Sequence, residues 1–209
     1  MRTPTTRPTR ERILDASLDA FGSRGVEAVS LDDIAGAVGV RKQTVLYWFP
    51  SKDHLVAAVL ERSADELEVA IEAAVRQSGE GFARVEAVVD AAFRSAVRRP
   101  ALLGLVRELH RLGPALSDRV VERLSPFAAR AKEFLAEEMD AGRMRRADPQ
   151  LVVALAYATI TGVATEPEAL RAVGWEPSPA GLRRLRRELV GFLRAALVVH
   201  APAPVGPDG

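Results

Sequence analysis

The sequence predicts an all-α protein, a small three-helix head followed by a larger helical body. Three observations point there. Alanine, leucine, arginine and glutamate recur, while clusters of the aromatic and threonine residues that favour strands are scarce. Apolar residues return at helical spacing in segment after segment. Glycine and proline fall between those segments as breaks, at Gly22 and Gly25, Gly39, Pro50, Gly79 and Gly81, Pro100, and Gly113-Pro114. At 209 residues, 48% hydrophobic and 27% charged, the chain is long enough for a substantial core and has an ordinary soluble balance.

Residues 1–8 are rich in Thr, Pro and Arg without periodicity and are expected to form a flexible basic arm. A first helix begins near Thr9, with Ile13, Leu14, Ser17, Leu18 and Phe21 on one stripe, closed by Gly22 and Gly25. Ser30-Leu-Asp-Asp33 reads as a capping box, in which the Ser30 hydroxyl accepts from a backbone N–H near Asp33. Leu31, Ile34, Ala35 and Val38 form the apolar face of that second helix, and Gly39 suits the left-handed turn after it. A third short helix follows from about Lys42 to Phe49, ended by Pro50. Val45 and Phe49 face inward there, while Arg41, Lys42, Gln43, Thr44, Tyr47 and Trp48 face solvent.

Two short helices joined by a tight turn, the second presenting such groups, have the design of a helix-turn-helix that enters a major groove. Arg41 and Gln43 are equipped for bidentate contacts to guanine and adenine, and Thr44 and Tyr47 for phosphate or thymine-methyl contacts. Lys52 stands at the start of the next helix, where backbone N–H groups already favour a phosphate. Trp48 either meets DNA or packs against that next helix. Arg2, Arg7 and Arg10 allow the arm to reach phosphates or a minor groove, or the arm is only a solubilising segment. The net charge of +1 confines nucleic-acid binding to a local patch.

From Ser51 a long helix is expected to about Gln77, then helices at 82–98, 101–112 and 115–142, the last interrupted at Ser125-Pro126, where Ser125 caps a fresh helix. Asp148-Pro149 opens a helix over 149–164 that is apolar almost all round. It therefore belongs at a bundle centre, a subunit interface, or both. The last helix, 179–200, carries Leu182, Leu185, Leu189, Phe192, Leu193, Ala196 and Leu197 on one side. Arg183, Arg184, Arg186, Arg187 and Arg194 lie on the other, as a solvated face. Residues 201–209, with three Pro and two Gly, are expected to form a disordered tail. The domains expected are thus the arm at 1–8, a DNA-binding head at 9–52, a ligand-binding and dimerisation body at 53–200, and the tail.

The set Ile13-Leu14, Phe21, Gly25, Asp33-Ile34-Ala35, Gly39-Val40, Thr44 and Phe49-Pro50-Ser51-Lys52 resembles the TetR-type bacterial transcription regulators. The resemblance covers the head; the body is similar only in layout and length. It implies a homodimer whose heads insert their third helices into a palindromic operator. It also implies a ligand pocket in the body and a four-helix interface between the last two long helices of each subunit, here 149–164 and 179–200. Thr44 and Tyr47 match positions that touch DNA in the family, and Lys52 one that meets a phosphate. One departure is Leu46, which stands where the family often has tyrosine, with the aromatic pair moved to Tyr47-Trp48.

Other chemistries find little support. There are no cysteines and only three histidines, His54, His110 and His200, without metal-ligand spacing, so neither metal nor cofactor is expected. No nucleophile–base pair or phosphate loop is recognisable, so no catalytic residue is assigned. The apolar run at 151–164 is shorter than the ~18–20 residues a spanning helix needs, and the basic N-terminus has no apolar core of a signal peptide, so a cytoplasmic protein without a membrane is expected. Phe82, Phe93, Phe127 and Phe134 are either core or pocket lining, with Glu108 or Glu133 as candidate polar groups and His110 as a structural or pocket-lining histidine. The functional expectation is a repressor that binds double-stranded DNA and is released by a small, largely apolar effector. The alternatives are a constitutive DNA-binding regulator and an all-helical enzyme with an accessory head.

Overall fold

The computed structural model describes residues 7–109, 114–176 and 178–199. Most of the arm, His110, His200 and the tail at 201–209 lie outside the described residues. Within them the chain forms α1 (Thr9–Arg24), α2 (Leu31–Val38), α3 (Lys42–Trp48), α4 (Lys52–Gln77), α5 (Phe82–Arg98), α6 (Ala101–Leu109), α7 (Pro114–Asp140), α8 (Pro149–Thr165), α9 (Pro167–Ala172) and α10 (Pro179–Leu197). The only extended pairing among them is an isolated antiparallel bridge between Met144 and Val198, beside which the Arg145 N–H donates to the Leu197 carbonyl at 2.8 Å.

One apolar cluster closes the head. Ile13, Leu14, Leu18 and Phe21 of α1 meet Ile34, Ala35 and Val38 of α2 and Val45 of α3, with Phe49 just beyond it. Two further elements complete this cluster: Leu55, Val56 and Val59 from the first turns of α4, and Leu105 from α6. The head core therefore runs past the expected boundary at residue 52 and takes in a body helix.

Gly22 lies inside α1 and does not end it; Gly25, at φ 85°, does. The reason is the neighbour. A Cβ on Gly22 would run into the Ala101 carbonyl, and one on Gly104 into the Gly22 carbonyl, so α1 and α6 cross backbone to backbone.

The body is organised around two smaller clusters. Val89 and Phe93 of α5 pack with Val163 of α8 and Leu182, Leu189, Val190 and Leu193 of α10. Leu135 and Met139 of α7 pack with Met144 and Leu197. Phe82, Val85 and Val152 border both.

Ion pairs join the helices at the surface. Arg123 bridges Asp65 and, at 2.6 Å, Glu68, while Arg130 reaches Glu68 at 2.7 Å, tying α7 to α4. Arg62 of α4 meets Asp15 at 2.9 Å and Glu11 at 3.3 Å on α1.

Three local differences from the sequence expectation have physical causes. α7 continues through Pro126. Ser125 does not cap a new helix; its hydroxyl donates to the Val121 carbonyl at 2.7 Å, and both Ser125 and Pro126 are exposed, so the carbonyl that loses its N–H partner at Pro126 faces water. Phe192 points outward, 63% exposed, away from the stripe it was expected to join. Arg186 and Arg194 are not merely solvated: they cross to Asp90 and Glu86 of α5. No helix among the described residues is long and apolar enough to cross a membrane.

Candidate DNA-reading surface

The surface is built on α2 and the turn after it. Asp33 accepts from the Ser30 N–H at 2.8 Å, and Ser30 Oγ accepts from the Asp33 N–H at 3.1 Å, so the expected capping box is complete. Hydrogen bonds from the Ser30 backbone N–H and then its hydroxyl hold the Asp33 carboxyl below its usual range. Gly39 takes the left-handed conformation, φ 74° and ψ 39°, and lets the Val40 N–H close on the Ala35 carbonyl at 2.9 Å. The Arg12 guanidinium of α1 donates to the Val38 carbonyl at the end of α2.

That turn sets α3 across the head. Val45 and Phe49 are buried as expected, and the opposite side lies open. Arg41, Lys42 and Gln43 are exposed, Thr44 is half-buried, Tyr47 is 79% exposed and Trp48 43%. The rings of Tyr47 and Trp48 meet edge to face at 5.3 Å. Leu46 is exposed beside them. Ser51 caps α4, its hydroxyl accepting from the His54 N–H at 3.2 Å, which leaves the first N–H groups of α4 beside Lys52. Lys52 Nζ donates to the Glu27 carbonyl at 3.3 Å.

Two features escaped the sequence reading. Lys42 Nζ is held by Asp32 at 2.7 Å, an ion pair across the α2–α3 turn that links residues ten apart and has no periodic signature. The Arg10 guanidinium lies over the Phe49 ring at 5.5 Å, which anchors the start of α1 beside the end of α3.

The candidate pocket residues disperse. Phe93 is buried in the α5–α8–α10 cluster, Phe82 borders both body clusters, and Phe134 packs at the α7 cluster under the Arg84 guanidinium. Phe127 is half-buried, with Arg130 at 6.0 Å from its ring. His110 is outside the described residues. Glu108 is buried and accepts from the Val26 N–H at 3.1 Å. It lines a cleft of about 550 Å³ together with the end of α1, Gly104, Arg107, Thr165 and Glu168. A smaller cavity of about 210 Å³ lies between Ala70 and Ala74 of α4 and Ala91 and Arg94 of α5. Among the described residues no group of three or more His, Asp or Glu is placed to hold a metal ion.

The head matches the family model described as "Bacterial regulatory proteins, tetR family" over residues 13–59, the span that supplies every buried residue of the head core except Leu105, and the exposed α3. The match identifies residues 13–59 as a TetR-type DNA-binding head. It is 27% identical over 151 residues to the HTH-type transcriptional regulator RutR of Escherichia coli (strain K12), covering 72% of this chain and 71% of RutR. It is 32% identical over 96 residues to the HTH-type transcriptional repressor KstR of Mycolicibacterium smegmatis (strain ATCC 700084 / mc(2)155), covering 46% and 47% of the two chains. The fold is shared with the transcriptional regulator FadR from Bacillus subtilis, solved in complex with stearoyl-CoA, at a TM-score of 0.72 and 17% identity over 86% of this chain and 97% of that one. These similarities make the protein a DNA-binding transcription regulator of the helix-turn-helix type.

Proposed function

We propose that this regulator binds a palindromic operator as a homodimer, represses from it, and is released by a small, largely apolar molecule. The observation that carries the reading is α3: a helix with Val45 and Phe49 buried beneath it and Arg41, Gln43, Thr44 and Tyr47 turned outward. Arg41 and Gln43 read base edges, Thr44 and Tyr47 meet a thymine methyl or phosphates, and Trp48 adds an aromatic contact through its exposed edge. Lys52 and the α4 N-terminus hold a phosphate. Lys42 reaches DNA by exchanging Asp32 for a phosphate. The arm at 1–8 and head at 9–52 read the operator, the body at 53–200 binds effector and partner, and the protein acts in the cytoplasm with its DNA.

The dimer is supported by what the monomer leaves uncovered. On α8, Leu151, Ala154, Leu155 and Ala158 are exposed at i, i+3, i+4 and i+7, with Tyr157 beside them. On α10, Gly191, Phe192 and Ala195 are exposed along one side, with Val199 exposed just beyond its end. Apolar residues grouped in this way mark an interaction surface, and two copies of one face make an isologous contact. Two heads on such a platform must meet half-sites about one helical turn, ~34–36 Å, apart, so a shift in their separation costs affinity. An effector produces that shift only through its different affinity for the two arrangements.

The test is binding of the purified chain to DNA upstream of its own gene at moderate salt, followed by addition of stearoyl-CoA and shorter acyl-CoAs. The expected result is one dimer per palindrome, displaced by an acyl-CoA. No palindromic DNA bound would defeat the reading, and binding indifferent to every acyl-CoA would exclude that class of effector.

A further inference from the structure

We propose that the cleft at the end of α1 is a second small-molecule site, and that it takes a hydroxylated organic anion. The cleft encloses about 550 Å³, inside the ~300–1,000 Å³ usual for such sites. Its polar walls come from three places: Ser23 and Arg24 at the end of α1, Arg107 and Glu108 on α6, and Thr165 and Glu168 where α8 passes into α9. It stands apart from the two apolar clusters of the body, so this ligand is distinct from the largely apolar effector proposed above.

The charge a ligand must supply follows from which groups already have partners. Both carboxylates of the cleft do. Glu108 is buried and accepts from the Val26 N–H at 3.1 Å, and Glu168 accepts from Arg171 at 3.3 Å. The two guanidiniums do not. Arg24 and Arg107 are exposed, and among the described residues neither forms an ion pair or donates a side-chain hydrogen bond. Arg24 acts on Asp33 only at longer range, as the least of the influences on that carboxyl. The arginines of α7 differ: Arg123 and Arg130 are engaged by Glu68. A guanidinium presents its N–H groups as a planar fork that matches a carboxylate or a phosphate two bonds at a time. Two such forks from separate elements meet at one cleft, and the charge they leave unmatched is positive.

The hydroxyls add the second requirement. Ser23 Oγ donates to the Asp19 carbonyl at 2.6 Å, and Thr165 Oγ1 to the Thr161 carbonyl at 3.4 Å. Each hydrogen is committed to its own helix, and each oxygen keeps lone pairs that accept. Acceptors beside cationic forks suit a molecule with anionic oxygens and O–H groups. A bare inorganic anion would occupy little of the cleft.

The experiment titrates the full chain, without DNA, with glucose 6-phosphate, citrate, glucose and inorganic phosphate by calorimetry. Binding of glucose 6-phosphate or citrate is expected at least roughly tenfold tighter than that of inorganic phosphate, with none for glucose. Which of the two binds tells a phosphate ester from a hydroxylated polycarboxylate. Arg24→Gln and Arg107→Gln should each weaken that binding by roughly tenfold, while Arg184→Gln, on the exposed face of α10, should leave it unchanged. Circular dichroism checks each variant, and should one fail to fold the other carries the same readout. Organic anions bound no more tightly than inorganic phosphate would overturn the proposal. So would equal weakening by Arg184→Gln, which would mark general attraction to surface charge. Neither failure touches the DNA or dimer reading, since no DNA is present.

Discussion

The head and the body bury their apolar residues to different degrees of completion. The head gathers fifteen buried residues into one cluster, with α6 as its lid. The body divides its core between two smaller clusters and leaves Leu151, Leu155, Tyr157 and Phe192 open to solvent. Exposed aromatics occur in both, but in different company. Tyr47 and Trp48 stand among Arg41, Lys42 and Gln43, as a polar nucleic-acid surface requires, whereas Phe192 stands beside Gly191 and Ala195, as a protein contact requires. The head core is closed within the chain, with Leu105 of α6 inside it, while the body keeps open the apolar face on which a second copy is proposed to dock.

Truncation separates the two most sharply. Phe21→Ala, at a fully buried head position, should cost about 3–5 kcal/mol in denaturant unfolding. Phe192→Asp should cost within about 0.5 kcal/mol when both chains are compared as monomers, yet shift the sedimentation of the protein from dimer to monomer. Equal costs in monomer unfolding would erase the distinction. Gln43→Ala should come next, losing about 1–3 kcal/mol of discrimination at one base pair in a randomised-operator selection. Lys52→Ala should weaken all sequences alike and lower the salt slope by roughly one unit; a loss confined to one operator position would contradict its phosphate role. Asp32→Asn, which frees Lys42, should change affinity by less than about 1 kcal/mol and steepen the salt slope.

The smallest effect is expected from acid. Hydrogen bonds from Arg130 and then Arg123 hold Glu68 below the ordinary glutamate value of 4.5. A depressed carboxylate contributes stability that is complete above its unfolded value and lost as pH falls through its folded one. The α4–α7 seam should therefore loosen only below pH 4.5, read as faster amide exchange in α7 while the apolar centre of α1 stays protected. Asp33 has the same sign, so the first turn of α2 should fray only below pH 3.8, its ordinary value.

The head was far more legible than the body, for physical reasons. Its turns are local: the Ser30–Asp33 box, Gly39 and the Phe49-Pro50 break each announce themselves within a few residues, and Val45 and Phe49 stand four apart, on one face of a helix. α5 lay where Gly81 and Pro100 bound it. Features that depend on distant partners were hidden. Gly22 read as a helix end because only α6 shows why a glycine is needed inside α1. Phe192 satisfied the apolar stripe of α10 by spacing, but the stripe is wider than the face that α5 covers. Pro126 read as a break, although an exposed carbonyl can lose its partner to water. α9 is six residues long, too short for any period to register. Of the candidate contacts, Lys42 read as free because its partner Asp32 is brought close only by the turn at Gly39.

The central claim is that α3, carried on a symmetric pair of heads, reads DNA. Selection of bound duplexes from a random pool tests it most directly. The account predicts enrichment of an inverted repeat whose half-site centres lie about one helical turn apart, lost when Gln43 and Thr44 are both replaced by alanine. Enrichment of a single unrepeated motif, or of none, would contradict it.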